Sequence, residues 1–399
     1  MLVFSRLLVA SGIGAAIILS SGTATSAEES MTFRRGCAGG QRLVMAAVGD
    51  LLFHNSLQRQ ALRTGQSYRQ FWSGLAPVLS AADVAYGNLE GPAAAGVAPG
   101  GRETRDPGRR FDGHVYGAAQ DSLVFNFHPS VLADLAETGF DIVSTANNHA
   151  ADRGPLGIER TLDAADARGI AAAGTRRRDA RERKLAVKTA TGGMTIAWLA
   201  CTFSVNGMPD LHGQVVNCYG SREKLLEEIR WNAADPDVDA VIVTPHWGVE
   251  LAAKPLEHDR AYAREMIEAG ATAVIGTHPH VVQGWEKITT AAGRDGLVVY
   301  STGNFISNQV SDEQRTGIVA IIELTRLDGG KAEVSAAGFI PTWVTRGRHR
   351  VDEMRIDVAR GARAFPAALR RLPAGNHVTA GNFRNLRRNC AVTAEAGQP

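Results

Sequence analysis

Short apolar, β-branched runs recur along the chain and alternate with longer stretches of helical character. Residues 43–48 (LVMAAV), 142–144, 196–199, 240–244 (AVIVT), 273–275 and 297–300 are apolar throughout. Such runs fit strands covered on both faces by other layers. Four helices are predicted between them. One begins at Ser130 as N-cap and stops at Gly139; one ends at Gly169; one starts at Ser221; one ends at Gly270. Strands alternating with helices predict an α/β layered fold. Residues 93–117, rich in Gly, Pro and Arg, read as a long, mobile loop.

Composition adds little until the ends of the chain are considered. The 399 residues are 44% hydrophobic and 21% charged, with a net charge of +2, which gives no global reason to expect nucleic-acid binding. Residues 1–27 have Arg6 ahead of a compact apolar run (residues 7–19) and small residues near Ala27, the pattern of a cleaved secretory signal peptide. No later stretch is long and apolar enough to span a bilayer. A secreted or periplasmic location follows, and it makes disulfides possible. The simplest pairing of the four cysteines joins Cys201 to Cys218 and Cys37 to Cys390. Spacing alone does not exclude the other two connectivities or free thiols. From Arg346 onward there are eleven arginines, no lysine and four acidic residues. That basic stretch either is a solvated tail or docks an anionic polymer. The expected division is 1–27 for the signal peptide, 28–358 for a single main domain, and 359–399 for the basic C-terminal extension.

Candidate chemistry follows the apolar runs. Asp50 comes after the first, Asn88 and Glu90 after a short run at 84–86, and Asn147, Asn148, His149 and Asp152 after the third. His246 follows 240–244, His278 and His280 follow 273–275, and Asn304 follows 297–300. Ligands of layered α/β proteins gather beyond the carboxyl ends of strands. Carboxylate, amide and imidazole together suit Zn, Mn or Fe and not calcium. The set exceeds what one tetrahedral ion needs, so two divalent ions sharing a carboxylate are expected; such a pair stabilises both attacking and leaving oxygens of a displacement. Asp152 is open between capping the next helix and orienting His149. Trp247 and Trp285 are open between site walls and core, and Asn304 reads as a structural turn.

The ordered string GD…NLE…NNHAxDxG…HWGxE…GxHPHVxQ…GNF resembles the CapA family of capsule and poly-γ-glutamate biosynthesis proteins, within the calcineurin-like metallophosphatase superfamily. The resemblance runs from about residue 43 to 358. It implies a sandwich of two mixed β-sheets flanked by helices, and a two-metal centre held by Asp50, Glu90, Asn148, His246, His278 and His280. It implies that His149, with Asp152, acts on the leaving group, and that His278 and His280 serve different ions. The substrate it suggests is an anionic envelope polymer or phosphate ester, handled alongside capsule synthesis machinery. A non-catalytic polyanion-binding assembly protein is the alternative. One departure stands out: the superfamily's first motif is Asp-x-His, and here Leu52 occupies the histidine position, with His54 two residues on as the possible substitute.

Overall fold

The computed structural model describes residues 30–118, 123–180, 184–354 and 366–386. The signal-peptide segment, Cys390 and the two ends of the basic extension, 359–365 and 387–399, lie outside the described residues.

Two mixed sheets face each other. The first has the order β16–β15–β14–β1–β2–β5–β6, with β13 also pairing β1. Its strands are β1 (Gln41–Leu51), β2 (Val84–Leu89), β5 (Ile142–Ser144), β6 (Ala171–Ala173), β13 (Asn304–Ile306), β14 (Thr316–Arg326), β15 (Ala332–Thr345) and β16 (Arg350–Glu353). The second has the order β11–β12–β10–β9–β8–β7. Its strands are β7 (Val187–Thr191), β8 (Met194–Thr202), β9 (Ala240–His246), β10 (Ala273–Ile275), β11 (Trp285–Thr289) and β12 (Asp295–Val299). The loop after β2 holds a short hairpin, β3 (Val97–Ala98) with β4 (Arg102–Glu103), joined by a 3-10 turn at Pro99–Gly101.

Period-two alternation builds the layers. On β1, Leu43, Met45 and Ala47 point between the sheets and meet Ile196, Trp198, Ile242 and Val299 of the second sheet. Val44, Ala46 and Val48 point the other way, onto helices α1 (Asn55–Ala61), α2 (Ala76–Ala81) and α3 (Ser130–Thr138). The outer face of the second sheet buries Leu199, Val241, Val243 and Val274 against α5 (Arg222–Ala234) and α6 (Glu257–Ala269). The remaining long helix, α4 (Gly154–Asp166), links β5 to β6. The expected two-sheet sandwich flanked by helices is therefore present, with every apolar run a strand.

The helix ends refine two expectations. Gly139 does end α3, in the left-handed region at φ 102°, but Ser130 is already its first helical residue and gives no side-chain cap. Residues 366–386 do not hang free: Leu369 and Leu372 join the core between the sheets, and Val378 N–H donates to Phe339 O. Arg371 and Arg384 are paired with Glu313 and Asp83.

Candidate metal centre

The parallel strands of both sheets end at one edge, and there the polar residues converge. Asp50, at the end of β1, is in register with Asn88 on β2 and Asn304 on β13. Gly49 just before it admits no Cβ, which would collide with Gly303 O; this close approach lets β13 lie beside the end of β1. His246 ends β9. His278 and His280 follow β10 and both adopt positive φ, 100° and 57°, where residues with a Cβ are rarely found.

Two groups of ligand atoms form, each with all members within 4.8 Å of one another. The first is Glu90, His246 and His278; the second is Asp50, Glu90 and His280. Glu90 belongs to both, and the two histidines of the HxH loop fall in different groups. All five side chains are buried. Among the described residues, neither carboxylate oxygen of Glu90 nor Nδ1 of His278 has a hydrogen-bond partner, although Glu90 Oε1 lies 3.6 Å from His246 Nε2 and 3.7 Å from His280 Nε2. Buried polar atoms are almost always partnered, so these orphans, converging with imidazoles, fit a divalent cation.

The electrostatics point the same way. Burial, then Asp50, hold the Glu90 carboxyl well above its usual range. Burial alone would lower His280; the Glu90 and Asp50 carboxylates outweigh it and lift the imidazole to about 10. Burial, then His280, push His278 down to about 4, and burial with three neighbouring histidines depresses His246. One half of the site draws positive charge, and the other keeps imidazoles neutral, the form that binds metal.

Neighbouring polar groups fix the rings. His280 Nδ1 lies 3.0 Å from Asp50 Oδ2 and 3.0 Å from Asn304 Oδ1. His246 Nδ1 lies 2.9 Å from Thr277 Oγ1, and its Nε2 lies 3.0 Å from Asn148 Oδ1. Asn88 donates to Asp50 Oδ1 at 2.9 Å. Asn148 is thus brought to the centre through His246. His149 Nδ1 is 2.9 Å from Asp152 Oδ2, which also accepts from Phe125 N–H at 2.6 Å. Asp152 therefore orients His149, and α4 receives no side-chain cap. Aromatic rings wall the site: Phe125 meets His149 edge-on at 4.7 Å, and Phe203 packs on His278 at 4.5 Å.

The local sequence explains the wall. Phe203 stands two residues beyond Cys201, which is bonded to Cys218 across a separation of 17 residues. The expected Cys201–Cys218 bond thus closes the loop that presses Phe203 on His278. Leu52 is buried in the apolar layer under α1 and α2, and His54 belongs to neither ligand group. Trp247 and Trp285 are packing residues: Trp247 donates to Tyr300 O at 3.1 Å within the second-sheet core, and Trp285 lies against Phe339.

Residues 44–309 match the family model described as "Bacterial capsule synthesis protein PGA_cap". This chain belongs to that family. Within the capsule synthesis family, it is 27% identical over 301 residues to "Capsule biosynthesis protein CapA" of Bacillus anthracis, covering 73% of this chain and 66% of that protein. It is 26% identical over 302 residues to "PGA biosynthesis protein CapA" of Bacillus subtilis (strain 168), covering 72% and 69%. The chain thus spans about two thirds of the length of these relatives. Among solved structures, Haemophilus influenzae NAD nucleotidase (NadN) aligns over 89% of this chain and 60% of its own, at 10% identity and a TM-score of 0.45.

Thr277, Asn304, Phe125 and Phe203 were not marked as site residues by sequence. Asn304 had its place in the GNF motif; nothing in the sequence singles out the other three.

Proposed function

We propose that this protein is an exported, metal-dependent hydrolase of capsule assembly, acting on an anionic envelope polymer or a phosphate ester. The observation that carries the reading is Glu90: a buried carboxylate with neither oxygen hydrogen-bonded among the described residues, shared by two groups of imidazole and carboxylate atoms. Asp50, Glu90 and His280 would hold one divalent ion, and Glu90, His246 and His278 a second, with the Asn148 amide beside His246. Bound there, the ions would supply positive charge that polarises a phosphoryl or carbonyl oxygen and makes water more acidic.

The chain's own residues do the rest. Asp152 holds Nδ1 of His149, which leaves Nε2 free to carry a proton to the departing oxygen. Phe125, fixed by the same carboxylate, shields that proton from bulk water. Asn304 and Thr277 set the ring orientations of His280 and His246, as outer hydrogen bonds do at metal sites. The buried disulfide supports export.

Leu52 favours a second reading, a polyanion-binding assembly protein, because an apolar residue stands at the first-motif histidine position. Metal analysis and hydrolysis separate the two. The full chain, loaded with Mn²⁺ or Zn²⁺, should bind two ions and cleave phosphate esters or poly-γ-glutamate above the level of His246→Ala. Metal binding with no cleavage above that background would replace hydrolase with binder.

A further inference from the structure

The C-terminal segment reaches the metal centre from outside the stretch that defines the family. The family match ends at residue 309. Arg371, far beyond it, touches two of the elements that hold His280. Its Nη1 donates to Val282 O at 2.8 Å, two residues past His280, and to Glu313 Oε2 at 2.9 Å; its Nη2 donates to Glu313 Oε1 at 3.1 Å. A planar guanidinium can grip a carboxylate with two parallel bonds and still reach a carbonyl. Glu313 belongs to the short helix α7 (Asp312–Arg315). In the same helix, Gln314 O accepts from Asn304 Nδ2 at 2.9 Å, and Asn304 Oδ1 lies 3.0 Å from His280 Nδ1. Arg371 is thus joined to His280 by two routes, along the backbone from Val282 and across α7 through Asn304. The segment that carries it is anchored, because Ala368, Leu369 and Leu372 share one core with Val282. His280 needs such support. Its backbone sits at φ 57°, a conformation that persists only where surrounding structure imposes it, and its Nε2 faces Glu90 Oε1 at 3.7 Å.

Resting on the two-ion reading above, we infer that Arg371 is a positioning residue for the His280 half of the metal centre. It clamps the backbone at Val282 to α7 and so fixes where His280 presents Nε2 to the ion at Asp50 and Glu90. At this residue the basic extension serves the metal site. His246 and His278 are steadied by Thr277, Asn148 and Phe203 instead, so the effect of Arg371 falls on one ion of the two.

The test measures Mn²⁺ affinity by calorimetry on the full chain, in two backgrounds that each retain one ion. His278→Ala isolates the ion at Asp50, Glu90 and His280; His280→Ala isolates the other. In the His278→Ala background, Arg371→Ala should weaken Mn²⁺ binding about three- to tenfold, less than the roughly 10–100-fold cost of removing a direct hydrogen-bond partner of a ligand. In the His280→Ala background the same change should leave affinity as it was. Arg371→Lys, which keeps the charge beside Glu313 but not the fork, should recover part of the loss. Arg384→Ala breaks a pair with Asp83 in the same segment and should change neither affinity. If Arg371→Ala does not fold, Glu313→Gln keeps the shape of the partner, removes its charge and serves the same comparison. Unchanged affinity in the His278→Ala background, equal weakening in both backgrounds, equal weakening by Arg384→Ala, or a lysine variant no better than alanine would overturn the inference and leave the two-ion reading intact. Failure of wild type to bind Mn²⁺ would sink both.

Discussion

Replacing Glu90 by Gln should reverse the order of stability between metal-free and metal-loaded protein. The substitution keeps shape and removes charge at the carboxylate common to both ligand groups. After chelation, wild type must bury that carboxylate beside Asp50 with neither oxygen hydrogen-bonded among the described residues, His246 and His280 being its only ion-pair partners there, at 3.6 and 3.7 Å. An unsatisfied buried polar group costs about 1–3 kcal/mol, and a charge more. Glu90→Gln should therefore stabilise the chelated protein by about 1–3 kcal/mol, a midpoint rise of about 1–5 °C for a chain of this size. The pH dependence has a definite sign. The folded pKa of Glu90 lies above its unfolded value, so its stabilising contribution is present below the ordinary glutamate pKa of about 4.3 and is lost as pH rises through the raised value. The advantage of the variant should thus be small near pH 4 and grow toward pH 8. With metal the order inverts. Ions at a hundredfold excess over Kd stabilise by about 2.7 kcal/mol per site, and Gln should forfeit most of that at both sites. Scanning calorimetry from pH 4 to pH 9, with EDTA or with Mn²⁺, measures every arm. A variant less stable than wild type in EDTA at all pH values, or one that gains as much from Mn²⁺ as wild type does, would refute the assignment of Glu90 as the shared ligand.

Three further outcomes are expected. His278→Ala should lower the metal count by one and leave the ion at Asp50, Glu90 and His280, as mass spectrometry of the native protein can show. His149→Ala should keep both ions yet lose about 10²–10⁴-fold in turnover of alkyl esters; the loss should shrink with nitrophenyl esters, whose leaving group needs little protonation, and equal losses on both would contradict the acid role. Replacing Cys201 and Cys218 together by Ala should cost about 3 kcal/mol in the chain-entropy model, read by denaturant titration, and should free Phe203 from His278.

The strands at the site edge were legible because each is a short apolar run followed at once by a polar residue, as at 240–246 and 273–280. Helix stops at Gly139 and Gly270 were legible for a local reason, since both glycines have positive φ. The long antiparallel pair β14 and β15 was not. Gly338 and Pro341 interrupt β15, and its register bulges at Glu323/Leu324. The ligand types were readable from residue chemistry, but their grouping was not. Glu90 joins His246 and His278 only because two sheets close on each other, a contact between distant segments. Asp152 shows the limit most plainly: a helix cap and a ring-orienting carboxylate have the same local sequence, and only the position of His149 Nδ1 separates them.

The positive φ angles of His278 and His280 make these two positions a gauge of what the fold is kept for. A residue with a Cβ held there costs on the order of 1–3 kcal/mol, and glycine is free of that cost. In a library of variants selected for folding alone, glycine should outgrow histidine at 278 and 280, and alanine should gain little. In the same library selected for metal retention, histidine should hold both places. Since Cβ clashes with Tyr300 O and Trp247 leave room only for glycine at 276 under either selection, that position serves as the internal control, and the divergence between it and its two neighbours would separate demand for shape from demand for chemistry.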